Sequence, residues 1–371
     1  MKRLLLFVCV VLAVSCQSRV LSGQAWDPGV RSELSDLIRS KADGNAYAVF
    51  DFDKTSIVHD ISQALWVYQV EHLRYADAPS HAFLDGIPDP SQTIGGVSFA
   101  SFGAVLQEEF GQLSALLEEG LPLEEIHATD TYLDFRARMA YLLERMDDAP
   151  DALVSYLWMP GLLTGYTDQE ARAVVRDAIK DQLGKEKLAV EMWESPDGAF
   201  RTPVERGIFF SPEMKELYAA LISNGITPYV CSASLELIVE ELACDPELGV
   251  GLPPEQVFGL RFVPGETLVA VFDPDYVQPI KEGKVGCINA YMSPLHGGAS
   301  PVLVCGDSSG DVAMLTAYPA MLHGLIIDVG RSAESAIGQL AAQAREEENK
   351  GRYLLQPNFA EIAGELEGGG I

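Results

Sequence analysis

Ala46-Tyr47-Ala48-Val49-Phe50-Asp51-Phe52-Asp53-Lys54-Thr55 is the stretch on which the reading of this chain turns. Five apolar residues in a row, rich in aromatic and β-branched types, read as a buried β-strand. Two carboxylates two residues apart then leave its carboxyl end, which is where open α/β sheets bind their ligands. One carboxylate in such a pair can attack a phosphorus atom while the other handles the proton of the leaving group. A turn in which Asp side chains cap the next helix would use the same residue types, so the stretch needs partners elsewhere in the chain.

The chain has 371 residues, enough for two domains or for one domain with a large insertion. A hydrophobic content of 48% supports a real core. With 54 acidic and 26 basic residues the formal net charge is −28. That excess argues against nucleic acid and against an anionic membrane surface as partners. A phosphate site in this background needs local cations and helix N-termini, and a divalent cation would help.

Residues 1–16 read as a targeting segment: Lys2 and Arg3 precede the apolar run Leu4 to Val14, which is too short for a stable membrane anchor. Leu12-Ala13-Val14-Ser15-Cys16 resembles a bacterial lipobox with Cys16 as the lipidated residue, and Ala13-Val14-Ser15 equally fits ordinary signal cleavage. The expectation is export, to the periplasm or as a cell-envelope lipoprotein, with membrane contact only through a lipid on Cys16. Of the other cysteines, Cys231 and Cys305 read as core residues, while Cys244 and Cys287 could pair in an oxidising compartment.

Residues 17–30 read as a tether. Residues 31–41 look helical, and 61–205 is largely helical, with helices expected at Ile61 to Tyr75, Val105 to Glu119, Thr129 to Asp147, Asp151 to Trp158 and Gln169 to Lys185. From Pro212 onward strands and helices alternate. This rhythm predicts an α/β fold, a Rossmann-like doubly wound parallel sheet, built from 31–60 and 206–371, with 61–205 inserted as a helical cap.

Three further constellations close strands or open helices in the second half. Tyr229-Val230-Cys231-Ser232-Ala233-Ser234 ends a strand in a hydroxyl before a helix, a place where a phosphate oxygen can be held. In Glu282-Gly283-Lys284-Val285-Gly286-Cys287-Ile288 a lysine opens a helix, against the dipole preference of that end; Lys281 is the competing candidate. Val304-Cys305-Gly306-Asp307-Ser308-Ser309-Gly310-Asp311 places two acids after an apolar strand.

In this order the four pieces resemble the motifs of the haloacid dehalogenase superfamily, and residues 206–234 look like its phosphorylcholine phosphatases and phosphoserine-phosphatase-like members. The resemblance implies a phosphomonoesterase that works through an aspartyl-phosphate. Asp51 would be the nucleophile and Asp53 the general acid and base. Thr55, Ser232, Ala233 and Lys284 would hold the phosphoryl group, and Ser232 and Lys284 would count among the catalytic residues. Asp51, Asp53 through its carbonyl, Asp307 and Asp311 would hold Mg²⁺, with Asp311 ligating directly or through a neighbour.

An insertion directly after the first motif implies a C1 cap and a small-molecule phosphomonoester as substrate, phosphocholine- or phosphoethanolamine-like or phosphoserine-like. A quaternary ammonium would need aromatic faces and carboxylates. Glu108-Glu109-Phe110, Trp66, Tyr68 and Trp158 are candidates, and His59 and Asp60 are candidates for the cleft wall. A phosphotransferase or mutase of the same superfamily, and an inactive ligand-binding surface lipoprotein, are the alternatives.

Overall fold

Tyr47–Phe50 forms strand β1, and all four of its residues are buried. Tyr47 and Val49 join the apolar cluster on one face of the sheet, while Ala48 and Phe50 join the cluster on the other. A strand covered on both faces belongs in the middle of a parallel sheet, and β1 does lie there in the computed structural model. The structure describes residues 20–42, 44–76, 83, 87, 89–94, 96–146, 153–346 and 351–360. The expected signal and lipobox, residues 1–16, lie outside them.

Around β1, helix α1 (Pro28–Lys41) precedes and α2 (Ile61–His72) follows. The next segment holds the short strands β2 (Thr93–Ile94) and β3 (Val97–Ser98), helices α3 (Phe99–Glu118), α4 (Leu123–His127), α5 (Asp130–Arg145), α6 (Val154–Gly161) and α7 (Asp168–Gln182), and the hairpin of β4 (Ala189–Glu194) and β5 (Arg201–Arg206). The remainder is α8 (Pro212–Ser223), β6 (Thr227–Leu235), α9 (Glu236–Ala243), β7 (Val257–Leu260), α10 (Glu282–Cys287), β8 (Leu303–Gly306), α11 (Val312–Thr316), β9 (His323–Asp328), α12 (Ala336–Ala344) and β10 (Tyr353–Pro357). The six-stranded sheet runs β10-β9-β8-β1-β6-β7, and every neighbouring pair in it is parallel.

The chain leaves β1 to one side, through β6 and β7, and then crosses to the other side for β8. The loops after β1 and β8 therefore meet at the point where the winding reverses, which is the ligand-binding position of such sheets. Phe50 pairs with Cys305 in register, and the Asp51 N–H donates to the Cys305 carbonyl at 3.0 Å. Asp51 and Asp307 thus leave adjacent strand ends side by side.

Helix α2 links the two apolar bodies. Ile61, Ala64, Leu65 and Tyr68 pack with the sheet cluster, while Trp66, Val67 and Val70 pack with the aromatic cluster of the inserted segment. Trp66 stacks on Trp193 of β4 at 5.2 Å. The helix is buried along most of its length because it packs on both sides.

Several expectations are corrected. The stretch read as a tether is packed from Leu21 onward: Leu21 and Trp26 are 0% and 2% exposed, and Glu216 of α8 accepts hydrogen bonds from Ser22 and Gly23. The insertion is not purely helical, because β4 and β5 form an antiparallel hairpin in it. Val190 and Met192 on β4 are exposed and Trp193 is buried, so the strand shows no apolar–polar alternation to read. The apolar run Leu268 to Phe272 adds no strand to the sheet, and Phe272 only bridges to Phe262. Cys244 and Cys287 are both free thiols, and Cys287 Sγ donates to the Val277 carbonyl.

Candidate active site

Three carboxylates gather where β1 and β8 end. Asp51, Asp307 and Asp311 are 7%, 2% and 0% exposed, and one oxygen from each lies within 4.8 Å of the others. Lys284 reaches them from α10. Its Nζ donates to Asp51 Oδ1 at 2.5 Å and to Asp311 Oδ1 at 2.6 Å. Burial opposes the ammonium charge, but Asp311 and Asp51 outweigh it and raise the lysine above its ordinary range. Burial, then Asp311, push Asp51 well above the usual aspartate range, and Lys284 only partly offsets them. Asp307 is raised by burial and by Asp311, against the pull of Arg331.

Asp311 organises the turn after β8. Its Oδ2 accepts from the Asp307 N–H at 3.1 Å, the Ser308 N–H at 3.0 Å and Ser308 Oγ at 2.9 Å. Both of its oxygens are therefore committed to donors. Asp51 Oδ2 and Asp307 Oδ1 are freer, bridged by Thr55 Oγ1 at 3.4 and 3.3 Å, which is long for a hydroxyl hydrogen bond. These two oxygens are hard donors, and the three buried carboxyl groups outnumber the cations Lys284 and Arg331 beside them. The residues present fit a small divalent cation such as Mg²⁺. Thr55 stands at the carboxylates, on the floor of the site.

Asp53 sits on the opposite side of the turn. Oδ1 accepts from the Ile61 N–H at 2.7 Å, at the start of α2, and Oδ2 accepts from Ser234 Oγ at 2.7 Å. Burial first, then the neighbouring Asp60 carboxylate, push its pKa up to about 8. A carboxyl held that high carries a proton at neutral pH, as a general acid requires. The turn that separates the two acids is tight: the Ser56 and Ile57 N–H groups both point back to the Phe52 carbonyl, and Lys54 has a φ of 57°.

A cavity of about 320 Å³ opens above these groups. Its floor holds Asp51, Asp53, Lys284 and Asp307. Leu143, Met146, Tyr156, Met159 and Pro160 of the inserted segment form an apolar wall across from them. Ala233 lines the cavity as expected, and so does Asp60. Ser232 is fully buried and accepts from the Ser234 N–H at 3.0 Å, so it braces the strand end while Ser234 faces the cleft. His59 points its Nδ1 at the Arg206 and Gly207 carbonyls, away from the cavity.

The acidic pair expected to read a cationic substrate is elsewhere. Glu108 is exposed, and Glu109 is paired with Arg138 of α5 at 2.9 Å; neither lines the cleft. Trp66 and Trp158 are core residues, with Trp158 Nε1 donating to the Phe83 carbonyl.

Among the cleft residues missed are Ser234, Arg331 and Lys54. Ser234 lies two positions beyond Ser232 on the same strand, so it was within reach of the pattern. Arg331, whose Nη2 donates to Asp307 Oδ2 at 2.7 Å, follows the apolar strand β9 by three residues, and only its place at a strand's carboxyl end could have flagged it. Lys54 carries its charge to Glu205 of β5 at 2.9 Å, a pairing no local pattern announces. Between the two lysines weighed for the site, Lys284 meets Asp51, and Lys281 stands at the rim.

The family model for haloacid dehalogenase-like hydrolases matches residues 147–316, a span that contains Ser232, Lys284, Asp307 and Asp311 and begins downstream of Asp51. The phosphorylcholine phosphatase of Pseudomonas aeruginosa is 28% identical over 235 residues, 63% of this chain and 54% of the relative. The chain thus spans about half the length of that curated relative. A solved structure of a conserved, functionally unknown protein from Anaerococcus prevotii is 28% identical, covers 90% of this chain and 94% of its own, and superposes with a TM-score of 0.80. The chain is thus similar, over residues 147–316, to the haloacid dehalogenase-like hydrolases.

Proposed function

We propose that the chain is a phosphomonoesterase that acts on a small phosphorylated metabolite through a phosphorylated Asp51, with Mg²⁺ as its metal. The observation that carries this reading is the different setting of two acids 2 residues apart, Asp51 against Lys284 and Asp307, and Asp53 across the turn against Ser234 and the start of α2. Asp51 is paired with a charged Lys284 at 2.5 Å, while Asp53 is kept protonated by burial and by Asp60.

The chemistry follows from those roles. Asp51 attacks phosphorus, and the bond from phosphorus to the ester oxygen breaks. The Asp53 proton moves to that oxygen, so a neutral alcohol leaves. Water then attacks phosphorus of the Asp51 phosphoryl group and gives a proton to Asp53, which releases phosphate and restores both acids. Ser234 holds Asp53 in place through both steps. Lys284 compensates charge on the phosphoryl oxygens, which is most of what phosphoryl transfer asks of a protein. Mg²⁺ held by Asp51 and Asp307 would supply further charge compensation there.

The substrate class proposed is phosphocholine-, phosphoethanolamine- or phosphoserine-like. The Pseudomonas relative supports the first, and the apolar wall of Leu143, Met146 and Met159 suits an alkyl leaving group. We also propose that residues 61–205 act as the cap over this site and that the chain is exported.

The test is hydrolysis of para-nitrophenyl phosphate by the chain without residues 1–16, with and without Mg²⁺. Asp51→Asn should abolish phosphate release. Activity that survives this substitution, or that ignores removal of metal, overturns the reading.

A further inference from the structure

Lys281 is built into a backbone conformation that a lysine ordinarily avoids. It stands at the entry to α10 with φ 51° and ψ −114°. A side chain at positive φ is strained and persists there only where the surroundings impose it, and such positions cluster where function holds them. Here the surroundings do impose it. The Gly283 N–H donates to the Ile280 carbonyl at 2.8 Å, and the Lys284 N–H donates to the Lys281 carbonyl at 3.1 Å. A Cβ on Gly283 would lie 2.0 Å from the Gln278 carbonyl oxygen. Gln278 is itself clamped to Arg261 and Asp273 at 3.0 to 3.1 Å. Glycine would satisfy this turn without strain, yet the position holds a long cation that lines the cleft.

The other cations of the cleft are already committed. Lys284 is paired with Asp51 and Asp311, Arg331 with Asp307, and Lys54 with Glu205. Among the described residues, Lys281 has no carboxylate within ion-pair distance. Lys284 is 3% exposed and Lys281 is exposed, so the two lysines mark the floor and the rim of one cavity. The floor lysine stands where the transferred phosphoryl group must lie. The rim lysine is left for whatever the leaving alcohol carries.

We propose that Lys281 determines specificity by receiving a second anionic group, a carboxylate or phosphate, on the leaving alcohol. This rests on the phosphomonoesterase reading. It favours substrates of the phosphoserine kind, with a carboxylate on the alcohol, over phosphorylcholine.

The experiment compares kcat/KM for 3-phosphoglycerate with that for para-nitrophenyl phosphate in the unaltered chain and in Lys281→Gly, Lys281→Met and Lys281→Arg. The ratio should fall about two- to fivefold in the glycine and methionine variants, as expected for one solvent-facing ion pair. The loss should lie in KM and shrink at high salt. Lys281→Arg should hold the ratio near its original value. Lys281→Gly should melt at the same temperature or higher, because it removes the strain, which separates a substrate role from a structural one. Hydrolysis of para-nitrophenyl phosphate with an unchanged ratio overturns the role of Lys281 alone, as does a chain that hydrolyses that ester but no anionic one. A chain that hydrolyses no phosphomonoester overturns the enzyme reading and this proposal with it.

Discussion

Asp51 and Lys284 are 233 residues apart in the chain and meet at 2.5 Å in a buried ion pair that also takes in Asp311. Removing one partner from such a group leaves uncompensated charge in the interior, which costs about 3–5 kcal/mol. Lys284→Met should therefore destabilise the fold by about that amount in denaturant titrations at neutral pH, besides removing activity. The deficit should shrink as pH falls, because burial holds Asp51 above the usual aspartate range and it takes up a proton before an ordinary carboxylate would. A variant as stable as the parent at pH 7 would show that the pair is not buried as described.

Metal binding should be measurable without turnover. If Asp51 and Asp307 hold a divalent cation in the folded state only, Mg²⁺ at 100 times its dissociation constant adds about 2.7 kcal/mol of stability. That corresponds to an upward shift of a few degrees in melting temperature for a protein of this size. Asp307→Asn should remove most of the shift. An equal Mg²⁺ shift in both proteins would place the ion elsewhere.

The pH profile should report Asp53. Its pKa is raised to about 8, so the protonated form that donates to the leaving alcohol is present below that value and lost as pH rises through it. kcat/KM for an alkyl phosphate should therefore decline on the alkaline side. Ser234→Ala removes a hydrogen bond that favours the ionised form, so the decline should move to higher pH. A para-nitrophenyl leaving group needs little protonation, and its profile should be flatter. Identical profiles for the two esters would remove Asp53 from the acid role.

Where the sequence could be read, the reason is local. β1, β8 and α8 announce themselves because burial on both faces leaves uninterrupted apolar runs and because Ser211 and Pro212 cap the helix, with Ser211 Oγ accepting from the Met214 N–H at 3.1 Å. The carboxylates of the candidate site follow strand ends, so their meeting point follows from the order of the sheet. What escaped has long-range causes. The β4–β5 hairpin packs Trp193 inward against Trp66 and leaves Val190 and Met192 outside, which erases the strand period. Arg331 and Ser234 matter only because β9 and β6 end beside the same cavity. Glu108 and Glu109 were plausible by composition, but α3 turns them toward Arg138 and solvent instead of the cleft.

Glycine 306 ties the sheet to the site and gives the sharpest test of that link. A Cβ on Gly306 would lie 2.5 Å from Asp311 Cβ and 2.8 Å from its Cγ. Asp311 cannot yield, because Lys284, Ser308 and the Asp307 N–H all hold it. Gly306→Ala must therefore push Asp311 off its partners or bend the end of β8, and overpacking of this kind costs about 1–3 kcal/mol. Either response displaces Asp307, so activity should fall much further than stability. Gly111 offers the control. It lies in α3, where an added Cβ meets nothing within 4 Å, so Gly111→Ala should stabilise by about 0.5–1 kcal/mol through helix propensity and leave turnover alone. Opposite signs in thermal melts, with phosphate release lost in only the first variant, are the expected result. Full activity in Gly306→Ala would mean that Asp311 does not position Asp307.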